Sequence, residues 1–482
     1  MSVADRAVEA VFRIESAKII AVVARIVRDI GIAEEIAQDA LVAALEQWPE
    51  SGVPDRPGAW LMATARHRAI DLVRRRETYA RKLAEVGRAL ADAPGPETPE
   101  AALTGPGPDS GSGPDSGPGD GSGGGSGAGS SGGRTGGSGT GGTGGSGTGG
   151  SGAGGGVGIE EDIDDDLLRL IFTACHPVLS TEARIALTLR LLGGLTTAEI
   201  ARAFLAPEAT VAQRIVRAKR GLAKAGVPFE VPYGTERAAR LSSVLEVIYL
   251  VFNEGYSATA GDDWLRPGLC EDALRLARVL AGLMPDEPEV HALAALLELQ
   301  ASRVPARTGP DGAPVLLADQ NRSRWNQLLV RRGFAALTHA GSLAARTGAA
   351  PGPYALQAAI AACHARAVTY EETDWSAIAV LYSRLAALTP SPVVELNRAV
   401  AVSLAEGPAA GLALVDALAD DPALKTYHLL PSVRGDLLAR LGRTDQARAE
   451  FERAAGLTRN ERERELLRRR AVELGPGARG EP

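Results

Sequence analysis

The sequence predicts an all-α protein on three observations. Apolar residues recur at helical spacing in segment after segment, few segments alternate as strands do, and the Ala- and Leu-rich second half repeats a helical-hairpin pattern. At 482 residues, 45% hydrophobic and 23% charged, the chain is long enough for several domains. The expected architecture is two small helical domains, the second a helix-turn-helix, joined by a disordered Gly/Ser linker and followed by a helical C-terminal domain.

The first helical segment, Ala7 to Trp48, carries Glu34, Glu35, Gln38, Asp39 and Glu46 towards its end, with Ile36, Ala40, Leu41, Ala44 and Leu45 as its packing residues. A loop containing Pro49, Gly52, Pro54, Pro57 and Gly58 follows. The next helix, Ala59 to Leu90, buries Trp60, Leu61, Ala65, Ala69, Ile70 and Val73. Its other side carries Arg66, His67, Arg68, Arg74, Arg75 and Arg76, with Asp71 as the one acid among them. An acidic helix beside a basic one points to two partners, one a protein and one a nucleic acid, although either patch alone is also what solvated surface looks like.

Residues 94–158 hold 30 of the 57 glycines, too little apolar material to bury a core, so this stretch is expected to behave as a flexible coil. For about 65 such residues the typical span is roughly 40–50 Å. An acidic run (Glu160, Glu161, Asp162, Asp164, Asp165, Asp166) then precedes the apolar helix Leu167 to Ala174, where carboxylates at a helix start complement its dipole.

Thr196-Thr197-Ala198-Glu199 has the pattern of a capping box and opens a short helix through Phe204. Leu205-Ala206-Pro207 breaks it, and a second helix runs from Glu208 to Lys224. Val211, Ile215, Ala218 and Leu222 share one side of that helix, and Thr210, Gln213, Arg217, Arg220 and Lys224 share the other. Five basic residues and no acid lie between Val211 and Lys224, in a protein of net charge −7. Such a helix neutralises phosphates and lets residues near its start reach base edges.

From Arg237 onward the chain reads as successive helices. Residues 427–460 place Gly435, Gly442, Ala447, Phe451 and Ala454 as a tetratricopeptide repeat does, and a weaker copy starts near Val393 with Gly407 equivalent to Gly442; a plain helical bundle shares this periodicity. A polar cluster of Asn253, Glu254, Tyr256, Asp319 and Arg322 is expected to supply hydrogen bonds between helices.

Several classes are disfavoured. No run approaches the roughly eighteen apolar residues of a membrane span, and the N-terminus lacks a signal-peptide pattern, so the protein is expected in the cytoplasm without membrane contact. Cys175, Cys270 and Cys363 are too scattered for a disulfide framework. Cys175-His176 and Cys363-His364 invite a metal reading, but each stands alone in an apolar stretch, so buried core cysteines are expected, with no metal and no cofactor. Phosphate loop, nucleophile elbow and HExxH are all missing, which speaks against an enzyme.

Together these residues resemble the extracytoplasmic-function type of the sigma-70 family of RNA polymerase sigma factors. Ala33-Glu34-Glu35-Ile36-Ala37-Gln38-Asp39-Ala40 is similar to its core-polymerase-binding helix. Arg56-Pro57-Gly58-Ala59-Trp60-Leu61 through Ala69-Ile70-Asp71-Leu72-Val73-Arg74-Arg75-Arg76 is similar to its promoter-melting and minus-ten-reading helix, and the segment Thr196 to Leu222 to its minus-thirty-five-reading domain. The resemblance implies domains at 1–93, 94–158 (linker), 159–230 and 231–482, the last with repeats at about 393–460.

The same resemblance implies a partner in core RNA polymerase, through the clamp of the largest subunit and the flap of the second, and another in promoter DNA. Glu34, Glu35, Gln38 and Asp39 would meet the clamp. Trp60, Arg66, His67, Arg74 and Arg75 would engage the melting minus-ten strand. Glu208, Ala209, Thr210, Gln213, Arg214, Arg217 and Arg220 would face the minus-thirty-five element. Two departures stand out: the loop from Pro49 to Pro57 has no aromatic to capture a flipped base, and His67 stands where relatives commonly have asparagine. For the C-terminal region, similar to the long extension of one subgroup, the expected role is docking a regulator protein or an intramolecular contact. A helix-turn-helix regulator with a helical ligand- or partner-sensing domain is the alternative.

Overall fold

A computed structural model of the chain describes residues 3–91, 157–258, 260–310 and 312–475. Nearly all of the expected Gly/Ser linker lies outside these residues. The chain divides into one unit of residues 1–75 with 157–482 and a second of 76–156, of which the far end of one helix is described. Among the described residues the regular elements are α-helices, short 3-10 turns and two strands of two residues each.

The chain opens with α1 (Val3–Val27), α2 (Ile30–Ser51) and α3 (Pro57–Ala91). The periodicity reads Ala7 to Trp48 as one helix; the structure breaks it. Arg28 turns to a left-handed φ of +55°, and the Asp29 carboxylate accepts from the backbone N–H groups of Gly31 at 2.7 Å and Ile32 at 3.0 Å, capping α2. An aspartate able to satisfy two orphan amides makes a helix start as good as a continued helix. Ile36, Ala40, Ala44 and Trp48 of α2 are buried, but Leu45, expected to pack, is 40% exposed. Trp48 meets Trp60 edge-on at 5.5 Å and so fastens the start of α3. Leu61, Ala65 and Ala69 carry the inner face of α3.

Next come α4 (Val157–Ala174), α5 (Thr181–Leu191), α6 (Thr197–Ala203) and α7 (Glu208–Lys224). The acidic run lies within α4 rather than ahead of it, so Asp164, Asp165 and Asp166 sit beyond the first turn and the dipole account does not reach them. The side chains of residues 160–162 are outside the described ones. Asp166 is fully buried; Arg169 donates to it at 2.6 Å, and Arg25 of α1 lies at 3.0 Å. Buried charge is tolerable only with such partners. Cys175 is buried against Thr188, and burial pushes its thiol up to about 11, as befits a core cysteine. Ile19, Ile20 and Val23 of α1, Ile36 of α2, Leu61 of α3, Leu170 and Phe172 of α4, Leu187 of α5 and Val211 of α7 belong to one hydrophobic core.

That core continues into α8 (Gly234–Tyr256), α9 (Pro267–Leu283) and α10 (Pro288–Ala301), the last buried on nearly every side. Then α11 (Gln327–Thr347), α12 (Pro353–Arg366), α13 (Trp375–Leu388), α14 (Pro392–Ala405), α15 (Pro408–Ala417), α16 (Leu429–Arg440), α17 (Thr444–Leu457) and α18 (Glu461–Glu473) follow, packed chiefly on their neighbours in sequence, as solenoid hairpins do. Gly407 and Gly442 turn the α14–α15 and α16–α17 hairpins at φ of +108° and +74°. Gly435 leaves room for Phe451, whose ring a Cβ there would meet at 3.1 Å.

The expected polar cluster separates into two. Glu254 pairs with Arg266, and the Tyr256 ring is covered by the Arg307 guanidinium at 3.6 Å. Arg322 instead donates to the carbonyls of His364 at 2.7 Å and Ala367 at 2.8 Å and to Thr373 at 2.9 Å, at the end of α12. The last hairpin returns to the loop after α8: Ala260-Gly261 pairs in parallel with Arg459-Asn460. The buried Asn460 amide donates to the carbonyls of Ala258 at 3.1 Å and Asp263 at 3.0 Å.

Candidate nucleic-acid interface

Local chemistry builds the helix-turn-helix. Thr196 Oγ1 accepts from the Glu199 N–H at 3.1 Å, and the Glu199 carboxylate accepts in return from the Thr196 N–H at 2.7 Å, a complete capping box. Leu205 takes a left-handed φ of +48° in the turn, and Pro207 begins α7 where its fixed φ costs nothing. Val211, Ile215, Ala218 and Leu222 are buried, so the opposite face is set outward. Glu208, Ala209, Thr210, Gln213, Arg217 and Arg220 are exposed there, and Arg214 is half-buried. Gln213 accepts from Arg217 at 3.4 Å, which aligns the two on one strip.

On α3 the burial of Leu61, Ala65 and Ala69 leaves Arg66, His67, Arg74 and Arg75 exposed. Arg66 and His67 line a cleft of about 770 Å3 with Glu15 and Lys18 of α1 and Ile163 and Asp164 of α4. Trp60 is half-buried and packs against Trp48.

The four residues picked on α2 separate by face. Glu35 and Asp39, one turn apart, are exposed, with Asp39 3.6 Å from Arg68. Glu34 is turned inward and only 5% exposed. Arg190 of α5 donates to its Oε1 at 2.6 Å, Lys219 of α7 pairs with its Oε2, and Gln38 donates to it at 3.0 Å. Arg190 also holds the Leu195 carbonyl at 3.1 Å, at the turn before α6.

Sequence reasoning did not single out Arg184, Arg190, Arg266 or Arg275, which tie α5 and the turns around α6 to other helices of the fold. Arg184 pairs with Glu246 of α8 at 3.0 Å. Arg275 of α9 donates to the carbonyls of Leu192 at 3.3 Å and Gly193 at 3.2 Å, and Arg266 donates to that of Ala203. Their partners are mostly backbone carbonyls or residues more than fifty positions away, so no local pattern marks them.

Three family models match the chain: Sigma-70 region 2 over residues 12–78, Sigma-70, region 4 over 169–222, and a family of unknown function (DUF6596) over 240–341. An uncharacterized protein of Rhizobium meliloti is 40% identical over 445 residues, covering 92% of this chain and 90% of that one. The region 2 match takes in α2 and the basic part of α3, and the region 4 match ends at Leu222, on the last buried turn of α7.

Proposed function

We propose, from the premise that this chain belongs to the sigma-70 family of RNA polymerase sigma factors, with a C-terminal extension, a division of labour among its residues. The protein directs promoter recognition in transcription initiation, with core RNA polymerase and promoter DNA as its partners. In this reading the exposed strip Glu208, Ala209, Thr210, Gln213, Arg217 and Arg220, with the half-buried Arg214, reads the minus-thirty-five element. Arg66, His67, Arg74 and Arg75, with Trp60 behind them, hold the minus-ten strand. Glu35 and Asp39, and Glu34 and Gln38 once released, contact the clamp.

The observation that carries this reading is the pairing of two basic, outward faces, on α3 and α7, with one acidic outward face on α2, each held outward by a buried apolar stripe on its own helix. Phosphates are met by the first two and a protein by the third. The domains follow as 1–93, a linker at 94–158, 159–230 and 231–482. No catalytic chemistry is assigned, and the place of action is the cytoplasm; no helix among the described residues is long and apolar enough to cross a membrane.

For residues 231–482 the support is mechanical. Arg266 and Arg275 grip the carbonyl ends of the turns around α6, and Asn460 ties the last hairpin to the loop that carries Arg266. The extension thus acts as a brace for the helix-turn-helix and offers its repeats to a regulator protein. The test is charge reversal at Glu35 and Asp39 in the full chain. Loss of core binding with retained binding to a minus-thirty-five duplex is the expected result. Unchanged core binding together with operator-like, polymerase-independent repression would favour the helix-turn-helix regulator instead.

A further inference from the structure

We propose that the extension holds a binding site for a small amphipathic anion, an apolar body carrying one carboxylate or similar group. The site is the cavity walled by α8, α11, α12, α13 and the start of α10. It is built by these helices alone and is independent of the roles given above to α2, α3 and α7.

The cavity measures about 690 Å3, within the roughly 300–1,000 Å3 typical of small-molecule sites. Its α11 wall is Leu337, Ala340, Gly341 and Ala344, which share one face of that helix, and α8 contributes Leu241 and Leu245, one turn apart. Two glycines lie inside α11, and their surroundings differ. Gly333 is packed tight, since a Cβ there would come within 2.6 Å of Leu299 Cγ. A Cβ on Gly341 would meet nothing within 4 Å. Glycine inside a helix is destabilising relative to alanine, and no close contact requires this one. What Gly341 preserves is the space of the cavity that it lines.

The polar groups of the lining divide into engaged and spare ones. Both carboxylates are engaged. Glu287 pairs with Arg237 at 3.1 Å. Glu289 accepts from the backbone N–H groups of Tyr354 at 2.8 Å and Ala355 at 3.1 Å, so it already occupies the N-terminal end of α12. Donors are what remain. Among the described residues, the exposed Arg384 makes no hydrogen bond or ion pair, the Tyr354 hydroxyl has no hydrogen-bond partner, and Arg237 Nε is buried without one. A cationic ligand would meet two guanidiniums with both carboxylates taken, whereas an anion gives Arg384 its missing counterpart and its apolar body covers the leucine and alanine walls. The same α8 carries Glu246, which Arg184 of α5 holds at 3.0 Å, so the site lies one helix away from the helix-turn-helix module.

The experiment titrates the full chain with anilinonaphthalene sulfonate, an aromatic anion that fluoresces in apolar surroundings, and displaces it with dodecanoate below its micellar range. Saturable binding at a single site, displacement by dodecanoate and a melting temperature that rises with dodecanoate are expected. Dodecanol, with the same apolar body and no charge, is expected to bind about tenfold more weakly, as befits the loss of a charged hydrogen bond. Gly341→Leu fills the cavity from a position with free space for its Cβ and takes a glycine out of a helix. The fold is therefore expected to persist while affinity for dye and dodecanoate falls about tenfold or more. Should Gly341→Leu fold poorly, Arg384→Gln, at an exposed position, is expected to weaken dodecanoate about tenfold and to leave dodecanol unchanged. No saturable binding, or binding that a folded Gly341→Leu leaves intact, would overturn the site. Equal affinity for dodecanoate and dodecanol, or dodecanoate binding unaffected by Arg384→Gln, would overturn the anionic ligand.

Discussion

Arg190 donates to Glu34 at 2.6 Å across 156 positions of sequence, joining the helix expected to meet polymerase to the module expected to read the minus-thirty-five element. Lys219 takes the other carboxylate oxygen. Removing one partner of a buried pair typically costs about 3–5 kcal/mol; with the Arg190 side chain 21% exposed and Lys219 still in place, Arg190→Gln is expected to cost about 2 kcal/mol. A lowered melting temperature in scanning calorimetry checks this, and an unchanged one would mean that the pair is idle.

On α7, Arg217→Ala is expected to weaken binding to a minus-thirty-five duplex by about 1–3 kcal/mol and to relax sequence preference if it meets a base edge. Arg220→Ala, further from the helix start, is expected to weaken all duplexes alike and to reduce the salt slope by about 1. Fluorescence anisotropy over a salt series separates the two.

On α3, the double change Arg74→Ala and Arg75→Ala leaves every buried side chain of the helix in place. Core binding is expected to persist while promoter opening, read by permanganate reactivity of minus-ten thymines, falls at least tenfold. Equal opening by parent and variant would move strand capture elsewhere.

How much was legible follows from the range of each interaction. The capping box, the turn at Pro207 and the stripe Val211, Ile215, Ala218, Leu222 are local, so α6 and α7 were read nearly to their boundaries. Gly435 and Phe451 were visible for the same reason, as a small and a large residue at fixed spacing. The break at Arg28–Asp29 was hidden because apolar residues keep helical spacing across it. The inward turn of Glu34 had no local signature at all, since its partners come from α5 and α7. Arg322 was assigned to the wrong cluster because its acceptors are carbonyls freed where α12 ends, and a helix end is not fixed by side-chain pattern alone.

In the last hairpin, the Phe451 ring fills the space above Gly435 and is covered by the Arg470 guanidinium at 4.3 Å. Phe451→Ala is expected to destabilise α16–α18 by about 3–5 kcal/mol. Because Asn460 ties this hairpin to the loop bearing Arg266, faster proteolysis is expected there and in the loop after α8. Proteolysis unchanged at both places would contradict the tie.

Burial first, then the nearby Arg303 and Arg322, push the His364 ring down to about 3, so the folded protein keeps it neutral. The unfolded chain takes up that proton below its ordinary value of 6.5. Acid therefore favours unfolding: the contribution is intact above pH 6.5 and is lost progressively between 6.5 and about 3, at up to about 1.4 kcal/mol per pH unit. His364→Gln is expected to flatten this part of a urea-unfolding profile against pH.

Run-off transcription with purified core RNA polymerase, the full chain and templates carrying its mapped start sites decides whether the chain acts as an initiation factor. A promoter-dependent transcript that disappears without the chain, and falls when Arg217 or Arg74 and Arg75 are replaced, is the predicted result. No promoter-dependent transcript, together with no binding to core, would show that the chain does not act as an initiation factor.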